Sequence, residues 1–240
     1  MRKNPQRMAW TVLWIAFVVF CVLVVSIPLG IRSYLLNATD EQETKLSVIE
    51  GTILVQKPEA GEPIGVTHSA NLAAGDLVVT DDTARGTLDL FERSHVTLYS
   101  DTNIQLEEMA SPRFGLSDRP NTVILDLQGG LVRVGVALPG ERDTAFKVRT
   151  PHTTIGLDEG SYRVNVTNQV TEITVVRGRA AMSLPAGRLV LPQGTRTRVD
   201  LEGMPTDPLP AAQNLIVNGD FQLPLAGDWL TSTVVLDSSV

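Results

Sequence analysis

The chain has few residues whose type and spacing could support catalysis or metal binding. The three histidines, His68, His95 and His152, lie far apart and share no ligand motif, and histidines scattered in this way are more often surface residues than ligands. Ser94 directly precedes His95, but adjacent residues of a strand point to opposite faces, so the two do not suit a hydrolytic pair. We therefore predict no metal site, no cofactor and no catalytic residue.

Other motifs that could carry chemistry have simpler structural interpretations. Asp81 and Asp82 lack the spacing of a calcium loop and suit an acidic turn between strands. Residues 129–130 (GG) are followed by neither the lysine nor the helix of a phosphate-binding loop. The single cysteine, Cys21, lies inside a long apolar run, which excludes a thiolate zinc site. These patterns predict that the protein is not an enzyme.

The clearest structural signal is a period of two in residues 72–109, where apolar side chains recur at alternate positions. This alternation predicts a meander of three short strands, with turns at residues 92–94 and 100–103 and with one buried and one solvated face. Polar residues occupy the solvated positions and form our candidate recognition face, which consists of Thr87, Asp89, Thr97, Gln105 and Glu107.

Similar strand patterns recur from residue 46 to residue 199, and helical periodicity is absent from this range. They predict an all-β extracytoplasmic domain, either a sandwich or a short solenoid-like stack of antiparallel strands. A weak internal repeat places glycine before successive strands, and we expect these glycines to supply a positive φ or a bulge. They are Gly51, Gly75, the pair Gly129 and Gly130, Gly178 and Gly194.

An apolar segment at residues 9–31 precedes the domain and carries no charge. As a helix it would measure about 35 Å, enough to cross a hydrocarbon layer of about 30 Å. Arg2, Lys3 and Arg7 precede it, which predicts a single-pass cell-membrane protein with residues 1–8 in the cytoplasm and the β domain in the periplasm or outside the cell. The alternative is a cleaved signal peptide, whose apolar region would normally be shorter.

The remaining segments are interpreted from composition. Residues 32–45 are polar and predict a juxtamembrane stalk, and the proline-rich residues 201–212 predict a linker. Residues 214–221 (NLIVNGDF), with 227–229 (GDW), are similar to the first strand of jelly-roll carbohydrate-binding modules of the galactose-binding type. Residues 213–240 are too few for a core of their own, so we expect them either to pack onto the β domain or to be the start of such a module, cut off at Val240.

Several motifs in the β region resemble the FecR domain. They are residues 75–80 (GDLVVT), 84–90 (ARGTLDL), 146–156 (FKVRTPHTTIG), 160–164 (GSYRV) and 175–178 (VVRG). The resemblance covers about residues 46–200 and implies an extracytoplasmic β domain on a single helix. It also implies a signal received from an outer-membrane receptor and passed to a sigma factor by a cytoplasmic N-terminal segment.

This chain departs from the FecR pattern in three places. The cytoplasmic segment of about nine residues is too short for a sigma-binding module, residues 92–94 (ERS) replace the common Asp-Gly-Ser turn, and residues 158–161 (DEGS) replace Arg-Gly-Thr. The first departure argues against the sigma-factor activity.

The net charge of −7 argues against nucleic acid as a partner. Our main hypothesis is a non-catalytic, membrane-anchored binding or signalling adaptor whose partner is another extracytoplasmic protein or a cell-surface glycan. The alternative is a glycan- or cell-wall-binding protein, and a third hypothesis is a regulator of the classical anti-sigma type.

Overall fold

The computed structural model describes residues 5–138, 140 and 142–211. They form one helix, α1 (Pro5–Asn37), a 3₁₀ turn at Phe91–Arg93, and a series of strands. The strands are β1 Thr39–Glu41, β2 Thr44–Glu50, β3 Ile53–Gln56, β4 Ile64–Val66, β5 Ser69–Leu72, β6 Leu77–Thr80, β7 Arg85–Asp89, β8 His95–Leu98, β9 Asn103–Pro112, β10 Asn121–Val136, β11 Thr144–Arg149, β12 Thr154–Leu157, β13 Gly160–Val166, β14 Val170–Arg177, β15 Ala180–Leu184, β16 Gly187–Leu191, β17 Thr195–Asp200 and β18 Leu209–Pro210. The all-β fold preceded by one helix is confirmed.

The strands form two sheets. In sheet B, hydrogen-bonded neighbours run in the order β5–β2–β7–β8–β10–β13–β14–β17–β18, all antiparallel. In sheet A the order is β4–β3–β6–β9–β10–β11–β12–β15–β16, with β1 beside the end of β9, and the β10–β11 pair is parallel. The long strand β10 belongs to both, since its first half pairs within sheet A and its second half within sheet B.

The inner faces of the two sheets share one hydrophobic cluster. Every second residue of most strands points inward, for example Val132, Val134 and Val136 of β10, and these side chains are at most 5% exposed. Phe146 and Tyr162 are the largest fully buried side chains. At about 25 cal/mol per Å² of apolar surface removed from water, this buried layer is the main source of stability. Residues 32–211 contain no disulfide, so the hydrophobic core must hold the domain together.

The repeated glycines mark the points at which the chain passes from one sheet to the other. Gly51 lies between β2 and β3, Gly130 lies within β10, and Gly178 lies between β14 and β15. Their φ values are +74°, +93° and +92°, and those of Gly75 and Gly194 are also positive. Glycine adopts this conformation without the steric cost that a Cβ would bring. The expectation of positive φ at these sites is confirmed.

The predicted stalk, residues 32–45, is not a free linker. Its first part continues α1 to Asn37, and its next part is β1, which pairs with β9. The backbone N–H of Gln42 donates to the Met109 carbonyl at 2.9 Å. The polar composition that suggested a stalk reflects exposed positions of α1 and β1, so α1 runs directly into the β domain.

Within the predicted linker, residues 201–212, the described part up to residue 211 also packs against the domain. The hydroxyl of Thr197 donates to the Thr206 carbonyl at 2.6 Å, and β18 pairs with β17. Its prolines are compatible with this arrangement because β18 is an edge strand, where a missing N–H costs little. The predicted jelly-roll segment, residues 213–240, lies outside the described residues.

Candidate functional site

Three of the five predicted recognition residues lie together on the outer face of sheet B. Thr87 of β7 is directly opposite Thr97 of β8, and Asp89 is opposite His95. Both threonines are half-buried, whereas Asp89 and His95 are exposed. The His95 ring covers Gly135 of β10, where a Cβ would lie 2.4 Å from Cε1. Their neighbour Ser94 points inward, as the strand alternation predicted, and its hydroxyl accepts a bond from the Ala137 N–H at 3.2 Å.

The other two predicted residues, Gln105 and Glu107, lie on the outer face of sheet A. Gln105 Nε2 donates to the Gly75 carbonyl at 3.1 Å, and the Glu107 carboxylate forms an ion pair with Arg149. The prediction of one continuous meander face is therefore wrong. Asp101, at φ 53°, turns the chain away from sheet B after β8, so β9 joins sheet A instead of pairing with β8.

The outer face of sheet B contains a row of polar side chains that crosses six strands. We call it the Thr–Arg row, and its members lie opposite one another in successive pairs. In order across β7, β8, β10, β13, β14 and β17, they are Thr87, Thr97, Arg133, Arg163, Thr174 and Arg196. The two threonines that the sequence analysis identified are thus part of a longer surface.

The arginines of the row have no anionic partner among the described residues. Arg133 and Arg163 face each other directly across β10 and β13, and the Nε of Arg196 is buried without a hydrogen bond to the described part of the chain. The Glu172 carboxylate lies on the same face and in the same groove as these arginines, but it pairs with Arg198 at 2.5 Å.

Two grooves lie along this surface and share Arg133. One, of about 430 Å³, is lined by Arg163, Thr174 and Arg196 among others. The second, of about 420 Å³, is lined by Arg93, His95, Ser161 and Arg177 among others. Guanidinium groups bind carboxylates and phosphates through two parallel hydrogen bonds. The arrangement can therefore hold and orient an anionic group.

Residues 76–181 match the family described as FecR protein. The chain carries a FecR domain. The resemblance drawn from residues 75–80 and 146–156 is thereby confirmed within that range. The FecR match extends from β6 into β15 and includes Thr97, Arg133 and Arg163, whereas Arg196 on β17 lies beyond it.

Two solved structures show some likeness to this chain. Both are crystal structures of a candidate anti-sigma factor from Parabacteroides distasonis ATCC 8503, at 2.50 Å and 1.65 Å resolution. The identities are 17% and 16%, the TM-scores are 0.44 and 0.45, and each match covers 56% of this chain. The chain spans 59% of the length of those structures. No curated protein matches it.

The sequence analysis did not identify the two arginines of the row that lie in the FecR domain, although both occupy outward positions in the alternating strand pattern. Arg133 lies between Val132 and Val134, and Arg163 lies between Tyr162 and Val164. An arginine between two inward apolar residues indicates an outward position. Whether such outward positions lie next to one another depends on how distant strands pair, which the local pattern does not show.

Two polar groups that the sequence analysis treated as surface features have structural roles in the FecR domain. His152 is 8% exposed, and its Nδ1 lies 2.8 Å from the Thr171 hydroxyl, so the expectation of a surface histidine is wrong. The Asp81 carboxylate accepts bonds from the N–H groups of Thr83 and Ala84 and from the Thr83 hydroxyl. These hydrogen bonds lower the pKa of Asp81 and support its interpretation as a turn residue.

Tyr162 closes one corner of the FecR domain. Its hydroxyl lies 2.9 Å from the carbonyl oxygens of both Asp158 and Arg179, and it accepts a bond from the Arg179 N–H at 3.1 Å. Burial, followed by the nearby acids Asp158 and Glu159, raises the pKa of Tyr162 above its usual value of 10.0.

This raised pKa gives a pH prediction. Above about pH 10 the tyrosine of the unfolded chain loses its proton while folded Tyr162 keeps it, so the unfolded state binds fewer protons and stability falls as pH rises. Urea unfolding followed between about pH 8 and about pH 11 should show this decrease. A Tyr162→Phe protein should show a shallower decrease, and equal slopes would contradict the assignment.

Proposed function

We propose that this protein is a FecR-type, membrane-anchored, extracytoplasmic signalling adaptor that binds another protein on the outer face of sheet B. The observation that carries the proposal is the direct connection of the β domain that contains the FecR match to a helix long and apolar enough to cross a membrane. Between the two lies no flexible stalk, because α1 ends at Asn37 and β1 begins at Thr39.

The contacts at the end of α1 explain how such an adaptor would pass on a signal. The Tyr34 ring packs against that of Phe114, with centroids 6.0 Å apart, and the Ser117 hydroxyl donates to the Leu36 carbonyl at 2.8 Å. Phe114 and Ser117 follow β9, which is hydrogen-bonded to β10, the strand that carries Arg133. Partner binding at Arg133 would therefore act on the last turn of α1 through two neighbouring strands.

The membrane topology is tested by cysteine labelling. Cys21 is first replaced by serine, and a single cysteine is then introduced at exposed Ile49 of β2 or, in a second protein, at Asn4. A charged maleimide that does not cross the cytoplasmic membrane should label the β2 cysteine in intact cells and the N-terminal cysteine only after lysis. The reverse pattern would overturn the proposed topology.

The adaptor role is tested by formaldehyde crosslinking in intact cells followed by purification of the full chain. We expect a discrete adduct whose added mass is protein and is sensitive to protease. An adduct that resists protease but is removed by glycan-degrading enzymes would instead support the wall-binding alternative and overturn this proposal.

A further inference from the structure

We infer that the Thr–Arg row binds an acidic, extended segment of the partner protein, with carboxylates at alternate positions. This inference rests on the proposed function and names the kind of partner that the same face would recognise.

The unpaired arginines are the first support. Like charges directly opposite each other on two strands destabilise a sheet. Arg133 and Arg163 are in this position, and neither forms an ion pair with a described residue. The surrounding chain is rich in acid, with 27 Asp and Glu against 20 Lys and Arg. Among the described residues of this face, however, only Glu172 and Asp89 lie beside the row, and Glu172 pairs with Arg198.

The geometry of the row favours an extended chain. From β10 to β17 the row crosses three inter-strand spacings of about 4.8 Å, which gives about 14 Å. Alternate side chains of an extended peptide lie about 7 Å apart on one face, so three such carboxylates also span about 14 Å. A peptide lying across the strands can therefore place its carboxylates near Arg133, Arg163 and Arg196, with Thr174 between the last two as a hydroxyl partner.

The same geometry disfavours a compact anion and a membrane surface. A single phosphate is best bound by convergent donors, whereas the arginines of the row lie in a line across β10, β13 and β17. The end of α1, which must lie near the bilayer, contacts the segment after β9 and lies beside β1 of sheet A. A net charge of −7 also repels long polyanions, so a short acidic segment is the better fit.

The test is fluorescence anisotropy with the full chain in phosphatidylcholine nanodiscs. The probes are a labelled peptide of alternating serine and glutamate and its serine–glutamine counterpart. We expect saturable binding of the glutamate peptide and at least about tenfold weaker binding of the glutamine peptide. The double variant Arg163→Gln, Arg196→Gln should raise the Kd of the glutamate peptide by about tenfold or more.

A matched control removes the same charge from the other sheet. Lys147→Gln with Arg188→Gln, both exposed on sheet A, should change the Kd by less than about twofold, since distant exposed charges are screened. The double variant Arg163→Lys, Arg196→Lys keeps the positive charges but loses the planar guanidinium groups that bind a carboxylate through two hydrogen bonds. It should give an intermediate Kd.

Three outcomes would overturn the inference: no binding of the glutamate peptide, equal effects of the two glutamine double variants, or displacement of the peptide by an equal concentration of inorganic phosphate. If the peptide fails to bind while crosslinking in cells still yields a protein adduct, the adaptor role stands and only the acidic-segment inference fails. If neither is observed, both fail.

Discussion

Gly178→Ala should destabilise the domain by about 3–5 kcal/mol, the largest effect that we expect from a single substitution. Gly178 has a φ of +92°, and an added Cβ would lie 2.1 Å from the Glu159 carbonyl oxygen and 2.4 Å from the Tyr162 hydroxyl. The substitution therefore combines backbone strain with a clash at the point where β14 crosses to β15.

The matched control is Gly194→Ala. Gly194 also lies where the chain crosses between sheets and has a φ of +77°, but a Cβ there would meet no atom within 4 Å. It should cost only the strain of a left-handed backbone, about 1–2 kcal/mol. Urea unfolding of the full chain in nanodiscs, followed by far-UV circular dichroism, measures both. Equal losses would show that crowding at Gly178 is unimportant.

Tyr162→Phe should lower the free energy of unfolding by about 2–3 kcal/mol. The change removes one hydroxyl and leaves the Arg179 N–H and the nearby Asp158 and Arg179 carbonyls without that partner at a buried corner. A buried polar group that loses its hydrogen bond costs its full desolvation. The same urea titration, at neutral pH, gives the value.

Tyr99→Phe is the control for this hydroxyl. The Tyr99 ring is half-buried and lies under the Arg85 guanidinium at 4.8 Å, and its hydroxyl bonds to no other residue in the described ranges. Its loss should change stability by less than about 0.5 kcal/mol. A Tyr162→Phe effect no larger than that of Tyr99→Phe would contradict the role given to the corner.

The alternation of apolar residues and the recurring glycines made the strands and several sheet-crossing points predictable. Residues such as Val132 and Val134 mark an inward face by local spacing alone, and Gly178 marks a turn by its freedom at positive φ. Local patterns of this kind predict the all-β fold because each depends on the conformation of only a few adjacent residues.

The pairing of strands was not predictable from such patterns. A turn at residues 100–103 suits both a hairpin, which would keep β9 beside β8, and a passage to the other sheet. The positive φ of Asp101 and the pairing of β9 with β6 and β10 select the second. The Thr–Arg row is likewise non-local. Arg133 and Arg196 lie in the same row only because of the way β13 and β14 pair between their strands.

Residue-specific photo-crosslinking tests the central claim, that the outer face of sheet B is the recognition face. A photoreactive amino acid replaces Thr97 on sheet B or, in a second protein, Lys147 on the outer face of sheet A, and both are irradiated in intact cells. We predict a protein adduct from position 97 and at most a trace from position 147. An adduct from position 147 alone, or equal yields from both positions, would contradict the account.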